Sequence, residues 1–156
     1  MKLHVEWERP IALKDASKDN MIYGLALSKV PEEPGIYIFG RRWGSQFEAL
    51  YVGKANNTRG RVKGHLNNLR LMQHLRNAKT GKRLLLSGRI VTKRGQNLKK
   101  CLALAERAFI RYFLSEGHDL VNKQGTRLRR HEIESSGSHP KRFFPKQMHL
   151  EKSKGE

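Results

Sequence analysis

The hydrophobic and polar positions of the chain divide it into short extended segments followed by helical ones. Apolar runs at 35–40 and 48–53 flank a polar stretch that contains glycine, which is the pattern of a β-hairpin. Residues 83–92 are apolar enough to form a third strand. The pattern therefore predicts a small three-stranded antiparallel β-sheet.

Helical segments lie between and after these strands. The sequence Asn-Asn-Thr at 56–58 offers several N-caps for a helix that continues to about residue 70, and 71–78 predicts a second, shorter helix. The longest helical pattern runs from about 97 to 115 and is ended by Gly117. The predicted fold class is α+β, with the sheet flanked by helices.

The longest predicted helix carries an acidic residue on its apolar face. Leu102, Ala105, Phe109 and Phe113 recur at the spacing of a core-facing stripe, and Glu106 falls within it. A carboxylate in apolar surroundings needs a cationic partner. An ion pair with a nearby arginine and a bound divalent metal ion are both open alternatives.

Two tyrosines, each close to a glycine, mark the predicted hairpin. They belong to the tripeptides Gly-Ile-Tyr at 35–37 and Tyr-Val-Gly at 51–53. On neighbouring strands, Tyr37 and Tyr51 can lie roughly 5 Å apart at the base of their side chains. Tyrosine also has a high strand propensity. The alternative interpretation is therefore that both tyrosines are half-buried sheet residues without a role in a site.

The first predicted helix carries two further polar side chains that can face the tyrosines. Arg61 and His65 are four residues apart and so share one side of the helix. A guanidinium matches a phosphate with two parallel hydrogen bonds, and a neutral imidazole can accept a proton near neutral pH. An ordinary surface histidine remains an alternative for His65.

The charge of the chain indicates a polyanionic partner. The sequence contains 32 Lys and Arg against 14 Asp and Glu, a formal net charge of +18. No acidic residue occurs between Glu48 and Glu106, although basic residues are frequent there. A field of one sign favours nucleic acid. An anionic membrane surface is the rival partner, but the sequence shows neither a basic amphipathic helix nor a lipidation signal.

Length and cysteine content limit the remaining choices. A chain of 156 residues is large enough for one core. The first residues lack an apolar signal core, and no stretch approaches the roughly 20 apolar residues of a membrane helix, so a cytoplasmic protein is expected. Cys101 is the only cysteine, which excludes an intrachain disulfide and a cysteine-based zinc module.

The ordered set of polar residues resembles the GIY-YIG nuclease superfamily. That signature comprises two tyrosine tripeptides, an arginine, a glutamate on a later helix and a closing asparagine, which are matched by Tyr37, Tyr51, Arg61, Glu106 and Asn122. The resemblance covers 34–123 and implies a GIY-YIG-like α/β sandwich. It also implies a metal-dependent DNA endonuclease that hydrolyses phosphodiester bonds, with one Mg²⁺ (or Mn²⁺) ion per site held by Glu106.

The resemblance also suggests a role for each residue. We expect Tyr37 to relay a proton from the attacking water to His65, and Arg61 and Tyr51 to contact the scissile phosphate. Asn122 is expected to brace the site through hydrogen bonds. An ordinary turn residue after the helix is the alternative for Asn122.

The basic residues around the signature are candidates for nucleic-acid binding. They are Lys54, Arg59, Lys63, Arg41 and Arg42. A solvated lysine is an equal alternative for Lys54. A catalytically silent nucleic-acid-binding module on the same fold is the alternative to an endonuclease, and the DNA substrate stays open among restriction, repair, branched-DNA and mobile-element types.

The segments outside the resemblance divide the chain further. Residues 1–33 form an N-terminal extension that either adds to the core or makes a dimer contact. Residues 124–156 form a basic C-terminal extension, for which partial disorder is expected. Double-strand cleavage by a single site would suggest a homodimer, and the sequence does not identify its interface.

Overall fold

A computed structural model describes residues 2–121, 129–135, 137, 143 and 147–152 of the chain. The elements in chain order are β1 (His4–Trp7), β2 (Ile11–Ala12), β3 (Lys14–Asp15), β4 (Tyr23–Gly24), β5 (Gly35–Trp43), β6 (Gln46–Ala55), α1 (Thr58–Leu66), α2 (Leu69–Asn77), β7 (Lys82–Val91), α3 (Leu98–Ser115), β8 (Arg129–Glu134) and β9 (Gln147–Lys152). The α+β class is confirmed.

The main sheet of the described part has five antiparallel strands, so the prediction of three was wrong. The three predicted strands form its centre and one edge, and β1 and β2 add to the free side of β7 in the strand order β1-β7-β5-β6. Strand β1 is short and mostly exposed, and β2 has only two residues, so neither shows an alternating pattern. The N-terminal extension therefore adds to the core.

The β5–β6 hairpin is longer than its apolar runs indicate. The two strands remain paired out to Trp43 and Gln46, which are joined by a two-residue turn. Gly44 adopts a φ of 58° in that turn, a conformation that favours glycine. The pairing shifts register between Phe39 and Gly40, so that Tyr37 lies opposite Gly53.

Asparagine side chains begin all three helices. Asn57 accepts from the Gly60 N–H at the start of α1, Asn68 caps α2 in the same way, and Asn97 caps α3. Each such cap contributes about 1 kcal/mol. The chain leaves α3 at Gly117, whose φ is 94°. The three predicted helices are confirmed, with ends shifted by a few residues.

The central sheet lies between two helical layers. Tyr37 and Phe39 point to the side covered by α1 and α2, whereas Ile36 and Ile38 point to the side covered by α3. Strand β6 is an edge of this sheet. Residues from both layers can therefore meet around β6, and this is where the predicted signature residues lie.

Part of the C-terminal extension is described, and the described helices can be compared with what a membrane span requires. Strands β8 and β9 pair as an antiparallel ribbon, and most of the other residues of the C-terminal extension lie outside the described part. No helix among the described residues is long and apolar enough to span a membrane.

Candidate active site

A buried hydrogen bond between Tyr37 and His65 forms the centre of the site. The Tyr37 hydroxyl lies 2.6 Å from Nε2 of His65, and Tyr37 is 1% exposed. Strand β5 supplies the tyrosine, and the side of α1 that packs on the sheet supplies the histidine. The two side chains predicted to exchange a proton are thus in direct contact.

Gly53 makes room for the Tyr37 ring, and it was not among the predicted site residues. A Cβ on Gly53 would overlap the ring and the hydroxyl of Tyr37. The signal was present in the sequence, because a glycine within a strand often marks the close approach of another group. The second tripeptide therefore contributes its glycine as well as its tyrosine.

Tyr51 lies beside this pair on the same face of the sheet. Its ring stacks on that of Tyr37 with centroids 6.1 Å apart, and its centroid is 4.9 Å from that of His65. Tyr51 is half-buried rather than enclosed. It therefore forms the boundary between the buried hydrogen bond and solvent.

Burial keeps the aromatic groups of the site uncharged. It raises the pKa of Tyr37 far above the usual range of a phenol, and to a lesser extent that of Tyr51. Burial, with a contribution from the charge of Arg61, lowers the pKa of His65 to about 4. Near neutral pH both phenols are protonated and the imidazole is neutral. Nε2 can then accept the Tyr37 proton.

Arg61 brings a positive charge to the mouth of the site. It is exposed on α1, and its guanidinium opposes the effect of burial on the pKa of Tyr37, Tyr51 and Glu106. One cation therefore acts on both sides of β6. Its guanidinium is hydrogen-bonded to the Tyr37 side chain, and as an exposed fork of several donors it can also meet an anion from solvent.

Glu106 approaches the same place from α3. Burial raises the pKa of this half-buried carboxyl, while the charge and backbone N–H of Lys54 and the charge of Arg61 act in the opposite direction. The negative charge of Glu106 in turn raises the pKa of Tyr51. The carboxylate thus lies among the predicted signature residues, although it belongs to the opposite helical layer.

The donor set at Glu106 fits a hard divalent cation. Within the described residues there is no group of three His, Cys, Asp or Glu side chains that could enclose a metal ion. Mg²⁺ requires only one or two carboxylates and keeps several of its waters. A single half-buried carboxylate matches that ion better than zinc, which needs three or four protein ligands.

Arg59, a predicted DNA contact, is bonded to the N-terminal extension instead. Its guanidinium donates to the Val30 carbonyl at 2.8 Å, to the Ser28 carbonyl at 3.3 Å and to the Glu32 carboxylate at 2.7 Å. The backbone N–H of Arg59 also donates to the Pro31 carbonyl. These bonds attach the first turn of α1 to residues 28–32.

Arg41 is likewise held within the fold, whereas Arg42 is exposed. The Arg41 side chain donates to Glu48 at 2.9 Å and to the Thr80 carbonyl at 2.7 Å, and its Cζ lies 3.8 Å from the centroid of the Trp43 ring. Of the other predicted contacts, Lys54 and Lys63 are exposed. Asn122 lies outside the described residues.

Five predicted site residues therefore converge at β6. Tyr37, Tyr51, His65 and Arg61 come from one face of the sheet, and Glu106 comes from the other. Comparisons of the chain with protein-family models, with curated proteins and with solved structures found no match.

Proposed function

We propose that this chain is a metal-dependent DNA endonuclease with a site of the GIY-YIG type, within a sandwich of that kind. The observation that carries the proposal is the 2.6 Å hydrogen bond between Tyr37 and His65, with Arg61 beside it. Any buried phenol needs a hydrogen-bond partner, and the partner here is an imidazole, which can also accept a proton. The basic character of the chain, +18 overall, supports a nucleic-acid substrate.

The hydrogen bond provides a route for the proton of the attacking water. As the water oxygen bonds to phosphorus, its proton passes to the Tyr37 oxygen, and the Tyr37 proton passes to Nε2 of His65. Tyr37 is a neutral phenol before and after this step, which agrees with its raised pKa. An anionic phosphate near His65 would raise the pKa of the imidazole and favour the transfer.

The other residues of the site bind and orient the substrate. Arg61 and Tyr51 contact the non-bridging oxygens of the scissile phosphate, so that the water attacks in line. Glu106 would hold a divalent metal ion, which would supply neutralisation of the charge that develops on the leaving group. The phosphorus–3′-oxygen bond breaks, the 3′ oxygen takes a proton from solvent, and the products are a 5′ phosphate and a 3′ hydroxyl.

The proposal also includes a supporting residue, contacts to the DNA backbone and a dimer. Asn122 serves as a supporting residue. Lys54 and Lys63, both exposed, are contacts for the DNA backbone, as is Arg42 at the hairpin end. A single chain nicks one strand, and cleavage of both strands requires a homodimer.

Plasmid cleavage tests the proposal. Supercoiled DNA is incubated with wild type, with Glu106→Gln, and with Glu116→Gln as an exposed control at the C-terminal end of the same helix, in Mg²⁺, Mn²⁺ or chelator. We expect nicking by wild type and by Glu116→Gln that depends on metal, and none by Glu106→Gln. A wild type that binds DNA but never cuts it would instead identify the silent binding module.

A further inference from the structure

A cleft adjoins the candidate active site between the start of α1 and the first turns of α3. Its volume is about 640 Å³. The cleft is lined in part by Lys54, Ala55, Asn56, Arg61, Lys99 and Leu102. This volume falls within the roughly 300–1,000 Å³ that small-molecule sites occupy.

The charge of the cleft selects an anion. Lys54, Arg61 and Lys99 line it, and the described lining residues include no acidic side chain. Two of these cations also act on Glu106. The third, Lys99, lies seven residues before Glu106 on α3, which is about 10 Å along the helix axis. The positive charge thus continues from the candidate active site along α3.

The floor of the cleft is apolar, which a site for inorganic phosphate alone would not need. Leu102 and Ala55 are 4% and 9% exposed and belong to the two hydrophobic cores. The exposed Asn56 adds an amide that can both donate and accept hydrogen bonds. A nucleotide presents this same combination, with a flat base, a polar base edge and an anionic phosphate.

We propose that this cleft binds an unpaired nucleotide of the DNA strand next to the scissile phosphate, with Lys99 on the following phosphate. A paired and stacked base cannot enter a pocket, so enzymes that use one take the nucleotide out of the duplex or act on single strands. Proteins that read an intact duplex insert a convex helix or ribbon into a groove instead. This inference rests on the proposed function, and it assigns the substrate to DNA with unpaired nucleotides.

Binding in chelator tests the inference without cleavage. Fluorescence anisotropy measures the affinity for a fully paired duplex and for the same duplex with three unpaired nucleotides. We expect wild type to bind the second about tenfold more tightly. Lys99→Ala should remove most of this preference and reduce the slope of log affinity against log salt by about 1, because one phosphate contact is lost. Lys100→Ala, an exposed neighbour outside the cleft, should leave the preference intact.

A second measurement locates the base. With 2-aminopurine at the unpaired position, binding by wild type should change its fluorescence, and Asn56→Ala should reduce that change. Equal affinity for the two duplexes, or equal effects of Lys99→Ala and Lys100→Ala, would overturn the inference. Because no step requires cleavage, a protein that shows the preference but never cuts DNA refutes only the endonuclease. One that cuts paired and unpaired DNA equally refutes only the cleft assignment.

Discussion

The Tyr37 hydroxyl and Nε2 of His65 lie 2.6 Å apart, and both side chains are buried between β5 and α1. This contact joins a strand residue to a helix residue 28 positions later in the chain. In this hydrogen bond the neutral phenol can donate and Nε2 of the neutral imidazole can accept, because burial disfavours both the phenolate and the imidazolium. In the resting site the hydrogen bond therefore joins a neutral phenol to a neutral imidazole, and an anionic phosphate that raises the pKa of His65 would favour proton transfer to it.

The low pKa of His65 predicts a pH dependence of stability. The imidazole has a pKa of about 4 in the folded chain and an ordinary value of 6.5. Between these pH values the unfolded chain binds more protons, so the stability contributed at pH above 6.5 is lost as the pH falls towards 4. We expect urea denaturation of metal-free protein to show a larger loss over pH 7 to 4.5 for wild type than for His65→Gln. Parallel curves for the two proteins would contradict the assigned pKa.

Two glycine variants test whether Gly53 makes room for Tyr37. In Gly53→Ala the new methyl group overlaps the tyrosine ring, so we expect a loss of about 1–3 kcal/mol in the free energy of unfolding and loss of DNA cleavage. Gly64→Ala is the matched control, because nothing lies within 4 Å of a Cβ there. That helical substitution should raise the free energy of unfolding by roughly 0.5–1 kcal/mol. Equal stability of the two variants would show that the overlap does not occur.

Arg59 is expected to position the first turn of α1, and with it Arg61, rather than bind DNA. Arg59→Lys keeps the charge but loses the fork that bonds the carbonyls of Ser28 and Val30. It should lower the free energy of unfolding by about 1–2 kcal/mol and reduce the cleavage rate, with little change in DNA affinity in chelator. Lys63→Ala, exposed on the same helix, should alter stability by less than about 0.5 kcal/mol. A stable Arg59→Lys protein with weakened DNA binding would make Arg59 a phosphate contact after all.

Arg41 and Arg42 are adjacent in sequence, but we expect removal of the first to reduce stability and removal of the second to weaken DNA binding. Arg41→Ala leaves the Glu48 carboxylate and the Thr80 carbonyl without their donor, at a cost of roughly 2 kcal/mol in unfolding free energy. Arg42→Ala removes an exposed side chain, so it should leave stability unchanged and weaken DNA binding. Thermal denaturation and anisotropy separate the two effects. The distinction fails if both variants lose stability, or if neither does.

Local signals in the sequence predicted the hairpin and the helices, although not their exact ends. Gly44 lay in the predicted loop, Asn57 was among the predicted caps of α1, and the periodicity of α3 placed Glu106 within its core-facing stripe. Strands β1 and β2 could not be predicted, because such short segments become strands only when β7 is present to pair with them. Such pairing is a tertiary effect that a local pattern does not contain.

Three arginines show that a local pattern does not identify every site residue either. Arg41, Arg59 and Arg61 are equally basic in the sequence, and only the fold reveals that the first two are bonded to backbone carbonyls while the third faces the tyrosines. The spacing of the signature singled out Arg61 correctly as a neighbour of Tyr37. The other two were proposed from charge alone, which does not distinguish a structural guanidinium from one that is free to bind phosphate.

The most direct test of the central claim is the single-turnover cleavage of an end-labelled DNA containing unpaired nucleotides, in Mg²⁺. Wild type and Tyr112→Phe, which removes an exposed hydroxyl far along α3, should both cut it and leave a 5′ phosphate and a 3′ hydroxyl. Tyr37→Phe lacks the oxygen that relays the proton and should cut at least about 100-fold more slowly. No cleavage by wild type, or cleavage by Tyr37→Phe at the wild-type rate, would contradict the account.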